Sequence, residues 1–212
     1  MKKIGIPFIL MISGCSLLHA VPTLEAELSP ETLLIHYCSI SPETFKGKEA
    51  IHLQKTPAKR DGGVALLSDI TFADGIIEVD IASEIFAGIV FRAQDGDHYD
   101  VVYFRPFNSG TEKHENSVQY VVAGNSSLGW KPLRQQFPGK FEGGADLPVM
   151  DWFTVKLVIQ GGKVSVHING EVEPVLVVEQ TLSGFKDGAI GIWAWDAYFS
   201  NFRYTPIVNQ AP

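Results

Sequence analysis

Between residues 50 and 204 the chain is cut into short apolar runs by turns that nearly all carry glycine. Ala73-Asp74-Gly75, Asp95-Gly96, Gly161-Gly162, Asn169-Gly170 and Asp187-Gly188 supply the positive φ that tight reversals need. The runs between them alternate or are apolar throughout. They predict strands at Ala50–Gln54, Val64–Leu67, Ile76–Ala82, Phe86–Ala93, His98–Arg105, Ser117–Ala123, Phe153–Gln160, Lys163–Asn169, Val175–Val178, Ala189–Trp195 and Tyr198–Tyr204. No segment sustains a helical period and no internal repeat is visible. The pattern predicts an all-β chain: a two-sheet antiparallel β-sandwich of jelly-roll kind.

The most informative stretch is Ile85 to Pro106, two strands joined by Gln94-Asp95-Gly96-Asp97. Alternation in the second strand puts Tyr99, Val101, Tyr103 and Arg105 on one face and His98, Asp100, Val102 and Phe104 on the other. A tyrosine and an arginine on one strand face offer a ring and fixed guanidinium donors, which suits a flat polar ligand such as a sugar. The plainer alternative is a solvated arginine beside half-buried packing tyrosines. In the run Ser117-Val118-Gln119-Tyr120, Gln119 is placed to join Tyr103 and Arg105. Arg92 is expected to join them through the Asp-Gly turn. Two connections are long, 107–116 and 124–151. The second carries Trp130, Arg134, Phe137 and Phe141, too aromatic for a linker, and is expected to fold back on the sheet with Trp130 closing over the site.

The formal net charge of −7 argues against nucleic-acid binding, which normally shows a basic stripe. Lys2 and Lys3 followed by the apolar segment 4–12 read as a targeting sequence too short to remain as a membrane span. Ser13-Gly14-Cys15 resembles a bacterial lipobox, with Cys15 as the lipidated first residue of an envelope lipoprotein. The competing reading is cleavage after Ala20, giving a secreted or periplasmic protein. With Cys15 acylated, Cys38 has no disulfide partner. The expected organisation is 1–20 as lipoprotein signal peptide and start of a tether, 21–49 as an N-terminal extension with a short helix over 31–37, 50–205 as the jelly-roll domain, and 206–212 as a tail. No metal site or cofactor is expected. Calcium at Asp95 and Asp97 competes with plain turn chemistry, and His114-Glu115 lacks a second histidine.

Phe72-x-x-Gly75-x-x-Glu78-x-Asp80, Ala87-Gly88-Ile89-Val90-Phe91-Arg92 and Tyr99 resemble the concanavalin A-like lectin/glucanase superfamily. So do the later Trp152-x-x-Val155-Lys156-Leu157, the Val164–Asn169 run and Gly188-x-Ile190-Gly191-Ile192-Trp193. The resemblance spans residues 50 to 204 and implies a jelly roll whose concave face commonly binds glycans. Within it the chain looks nearest to the 3-keto-disaccharide hydrolase domain family, which pairs a Gly-x-x-Phe-Arg strand with a Tyr-Glu-x-Gln strand. The second element here reads Tyr99-Asp100-Val101-Val102, so the glutamate is shortened and the glutamine replaced. Glu78, Asp80 and Glu84 resemble the active-site strand of family 16 glycoside hydrolases in its bulged form. Their alternative role is an early framework strand.

Together these features predict a protein that binds a glycan with Arg92, Tyr103, Arg105, Gln119 and Trp130, without catalysis. A glycosidic-bond-cleaving enzyme and a laminin-G-like adhesion module are the alternatives. Trp193 and Trp195 share a face, as a sugar platform if exposed and as core if buried.

Overall fold

The structure is a computed structural model and describes residues 22–58 and 61–207. Its strands, in chain order, are β1 (Leu24–Glu25), β2 (Leu33–His36), β3 (Cys38–Phe45), β4 (Lys48–Lys55), β5 (Gly63–Leu67), β6 (Gly75–Ala82), β7 (Ala87–Ala93), β8 (Asp100–Phe104), β9 (Val118–Val122), β10 (Glu142–Gly143), β11 (Phe153–Gln160), β12 (Lys163–Ile168), β13 (Leu176–Val178), β14 (Ala189–Ala194) and β15 (Asp196–Pro206). One short helix, α1 (Trp130–Gln136), interrupts the long connection after β9.

The strands form two antiparallel sheets. An eight-stranded back sheet runs β13-β12-β11-β6-β15-β4-β3, with β1 also paired to β15. A seven-stranded front sheet runs β10-β9-β8-β7-β14-β5-β2. The alternation read from the sequence decides which side chains lie between them. In β6, Ile77, Val79 and Ile81 are buried against the front sheet while Glu78 and Asp80 face outward. In β11, Phe153, Val155, Leu157 and Ile159 do the same. Val102 and Phe104 of β8 and Val118, Tyr120 and Val122 of β9 answer them from the front sheet. Each such large apolar side chain adds about 1.5–3 kcal/mol on burial. Slipping any of these strands by one residue would turn that set to solvent, which is what fixes the register.

The amino-terminal part differs from the sequence expectation. Residues 33–36 form a strand rather than a helix, because Ser29-Pro30-Glu31-Thr32 closes as a turn, with the amides of Thr32 and Leu33 both donating to the Ser29 carbonyl. β2 then covers the edge of β5, pairing Leu33 with Leu67 and His36 with Val64. An apolar edge such as Gly63–Leu67 needs such cover. Nor does the chain break at Ser41–Thr44. β3 runs through Pro42, a residue an edge strand tolerates because its outer side needs no donor. Lys46 and Gly47, with φ of 44° and 80°, make the two-residue hairpin turn into β4. Residues 24–45 are therefore woven into both sheets, not an extension ahead of them. The targeting segment, Cys15 and the last five residues lie outside the described residues.

Candidate functional site

The outward face of the front sheet is where the second set of alternating residues goes. Val64, Leu66, Val90, Tyr99, Val101, Tyr103 and Trp193 form their own apolar cluster there, separated from the main core by the sheet itself. A cleft of about 790 Å³ lies over this face. Its floor is Tyr99 just before β8, Val101 and Tyr103 of β8, Val121 of β9 and Trp193 of β14. One wall is aromatic. The Phe86 ring stands 4.9 Å from Trp195, 5.3 Å edge-on from Phe107 and 6.1 Å from Tyr103, and Tyr103 is 5.3 Å from Trp193. The other wall is the connection after β9, which folds back as expected. Leu133 and Phe141 anchor it at 1% and 3% exposure, leaving Trp130 at the rim at 47%.

Tyr103, Arg105 and Gln119 meet at one end of this cleft. The Arg105 Nη2 donates to the Tyr103 hydroxyl and to the Gln119 Oε1, each at 2.5 Å, and its Nη1 donates to the Asn116 carbonyl at 2.6 Å. The Gln119 Nε2 donates to the Trp130 carbonyl at 3.5 Å, tying the strand to the loop wall. Arg105 is not solvated, as the plainer sequence reading had it; only 6% of it is exposed. Burial is the largest influence on it and lowers its pKa, opposed by Tyr103 and Glu142. Burial likewise pushes the Tyr103 phenol up to about 12.

Two further residues complete this end and were not identified as site residues from the sequence. The Glu142 carboxylate, 8% exposed, lies 3.6 Å from the Arg105 Nη1. It accepts from Arg134 twice, from Nε at 2.7 Å and from Nη2. That fork holds the Arg134 guanidinium above its ordinary pKa, and the same guanidinium lies 5.0 Å over the Trp130 ring. Glu142 reaches the site because the two-residue strand β10 pairs it with Gln119. A strand that short, among glycines, leaves no alternation to read.

Arg92 does not join the group, which corrects the expectation. β7 bulges at this point: Ala93 pairs with Ala189 and Val90 with Gly191, so two residues of β7 face one of β14. Arg92 takes φ of 51° in that bulge and turns away from the cleft. There it donates to the carbonyls of Ala73 and Gly161, to the Thr181 hydroxyl and to the Asp74 carboxylate at 3.1 Å. It clasps the rim between the sheets at 2% exposure.

The carboxylates resembling a hydrolase strand are also placed elsewhere. Glu78 and Asp80 face outward from the back sheet, with Asp80 held by Lys48 at 2.7 Å, Thr154 at 2.5 Å and Asn201 at 2.7 Å. Burial pushes the Asp80 pKa up, but these hydrogen bonds together outweigh it and hold the carboxyl below its ordinary range. Glu84 lies beyond the end of β6, exposed, so no bulge returns it to the strand. Asp95, one of the calcium candidates, caps its own turn, accepting from the amides of Asp97 and His98. Among the described residues no group of His, Cys, Asp and Glu is arranged to hold a metal ion. The Cys38 thiol, half-buried in β3, is raised to about 11 by burial.

The two sheets and their order make this a jelly roll of the concanavalin A-like and galectin-like kind. No protein-family model matches the chain and no curated protein is similar to it in sequence. Solved structures are. A carbohydrate-binding module, CBM66 from Bacillus subtilis, superposes with a TM-score of 0.57 at 16% identity, covering 81% of this chain and 91% of its own. A Bacillus subtilis protein of unknown function with a galectin-like fold gives 0.55 at 16% identity, covering 85% and 91%. A native glycosidic hydrolase gives 0.54 at 12% identity, covering 90% and 97%. At such identities the likeness is one of fold.

Proposed function

We propose that this protein binds a saccharide in the cleft of the front sheet and does not cleave it. The observation that carries this reading is the cleft's composition. Phe86, Trp195 and Trp130 offer rings along its walls and rim, over a floor that includes the buried Tyr103 and Trp193 (5% and 7% exposed, so Trp193 is largely core). At one end Arg105 is locked by hydrogen bonds to Tyr103 and the fully buried Gln119. Rings stack on the apolar faces of sugars, and fixed donors meet hydroxyls without a further ordering cost. The carbohydrate-binding module among the structural neighbours supports the same use of the fold, and the hydrolase among them supports the alternative.

Against hydrolysis stands the placement of carboxylates. Glycosidic cleavage ordinarily needs two carboxyl groups about 5–9.5 Å apart across the bond. Glu142 is buried under Arg134 and Arg105, Glu78 and Asp80 face outward from the back sheet, and Glu84 lies exposed in the turn between β6 and β7, outside the cleft lining. Asp61 and Asp97 line the far end of the cleft and are the pair to replace should product appear. A glycan array followed by product analysis tests both halves. Binding without release of shorter sugars is the expected result; turnover sinks the non-catalytic half, and an array without hits sinks the whole.

We further propose that the protein is held at the bacterial envelope by lipid on Cys15. The Ser13-Gly14-Cys15 sequence at the end of the apolar segment supports this, and two acyl chains anchor where one does not. Cys15→Ser is expected to release the protein from membranes. An unlipidated mature chain beginning at Val21 contradicts the proposal.

A further inference from the structure

We propose that the saccharide bound in the cleft bears an oxyanion, a carboxylate or a sulfate, seated at the Tyr103 end; this deepens the glycan-binding reading and rests on it. The cleft is electrically polarised along β8. Asp61 and Asp97 line it at the Tyr99 end, where both act on the Tyr99 phenol. Arg105, Lys113, Lys131 and Arg134 line the rest. Four cations against the single carboxylate of Glu142 leave an excess of three at that end. Discounting Lys113, whose loop also carries Glu112 and Glu115, leaves two. This occurs in a chain whose formal net charge is −7, so the sign of the cleft end is opposite to that of the molecule.

The cations are also available. Arg134 reaches Glu142 through Nε and Nη2 only, so its Nη1 remains for a ligand, and its side chain is 38% exposed. Neither Lys113 nor Lys131 enters an ion pair among the described residues. Neutral hydroxyls would be served by amide and hydroxyl side chains, as Asn108, Asn125 and Ser126 of the cleft lining already offer. Burying guanidinium groups costs desolvation that a neutral sugar does little to return, whereas a planar oxyanion matches their donor geometry. The two aspartates at the far end repel the same group and so orient the chain of sugars in one direction.

The test is calorimetric titration of the full mature protein with two matched pairs. One is an oligogalacturonate and its carboxyl-reduced neutral analogue; the other is a sulfated oligosaccharide and its desulfated parent. In low salt the acidic member of one pair is expected to bind about tenfold or more tightly than its neutral partner, with the preference shrinking at high salt. Which pair shows it distinguishes carboxylate from sulfate. Lys131→Glu, at an exposed position, is expected to abolish the preference without disturbing the fold, and Arg134→Gln to do the same if Glu142 stays paired with Arg105. Equal binding within both pairs overturns the inference and leaves the glycan reading standing, as does a preference unchanged in Lys131→Glu. Absence of binding to any saccharide, neutral or acidic, overturns both.

Discussion

Arg92 in β7 and Arg105 just past the end of the neighbouring antiparallel strand β8 are almost equally buried, and each binds several protein acceptors, yet they serve different parts of the molecule. Arg105 follows the regular alternation of β8 and lands beside Tyr103 on the cleft face. Arg92 sits in a bulge, takes a left-handed backbone conformation, and points to the seam between the sheets. One residue inserted into a strand is enough to turn a side chain from the cleft to the frame. Burial and hydrogen bonding alone therefore do not separate a ligand contact from a structural clasp; the face of the sheet does.

The largest expected effect breaks the clasp. Arg92→Ala leaves Asp74 with the Gly161 amide but without its counter-charge, and the Ala73 and Gly161 carbonyls without the guanidinium donor; loss of one member of a buried pair costs about 3–5 kcal/mol. Chemical denaturation measures it, and any variant that still folds is expected to keep the wild-type affinity for glycan. A change below about 1 kcal/mol would mean that Arg92 does not hold the sheets together.

Next is Arg105→Ala, which is expected to affect both properties. Gln119, Tyr103 and the Asn116 carbonyl lose a donor and Glu142 a neighbouring charge in a buried site, and glycan binding weakens by about 1–3 kcal/mol. Thermal melting and calorimetry on the same sample separate the two. Wild-type affinity in a folded Arg105→Ala protein would remove this end of the cleft from the account. Trp130→Ala removes a rim ring whose contact is the Arg134 guanidinium 5.0 Å over it, so stability is expected to fall by no more than about 1 kcal/mol while affinity falls by about 1 kcal/mol.

The smallest effect concerns Asp80 on the opposite sheet. Its folded-state pKa is depressed, so the stability it adds is present above the unfolded value of ~3.9 and is lost as the pH falls through the lower folded value. Asp80→Asn is expected to flatten the acid limb of the stability profile below about pH 4 and to leave glycan affinity untouched. A variant with the same acid limb as wild type would show that Lys48, Thr154 and Asn201 do not favour the ionised form.

The two arginines also mark what the sequence makes legible. Alternation in Asp100–Phe104 and its flanks correctly separated Tyr99, Val101, Tyr103 and Arg105 from Asp100, Val102 and Phe104, because period two is a property of every regular strand. The aromatic loop after β9 was readable from composition. The bulge at Arg92 was not, since a positive φ at a residue other than glycine or asparagine leaves no mark in a single sequence. Glu142 escaped because its pairing with Gln119 is a tertiary fact carried by two residues. The strands over 33–45 were hidden by Pro30 and Pro42, which signal turns locally but are accommodated by a turn before β2 and by the outer edge of β3.

The chain's four tryptophans provide the most direct test of the central claim. Trp130, Trp193 and Trp195 line the cleft, while Trp152 lies on the back sheet, with its indole Nε1 donating to the Phe45 carbonyl and Lys48 over its ring. Titrating the strongest-binding oligosaccharide from an array into protein with nitrogen-15-labelled indoles resolves the four in one nuclear magnetic resonance spectrum. The account expects the three cleft indole signals to move with saturation and Trp152 to stay fixed. Movement of Trp152 with the three cleft indoles unchanged would contradict it.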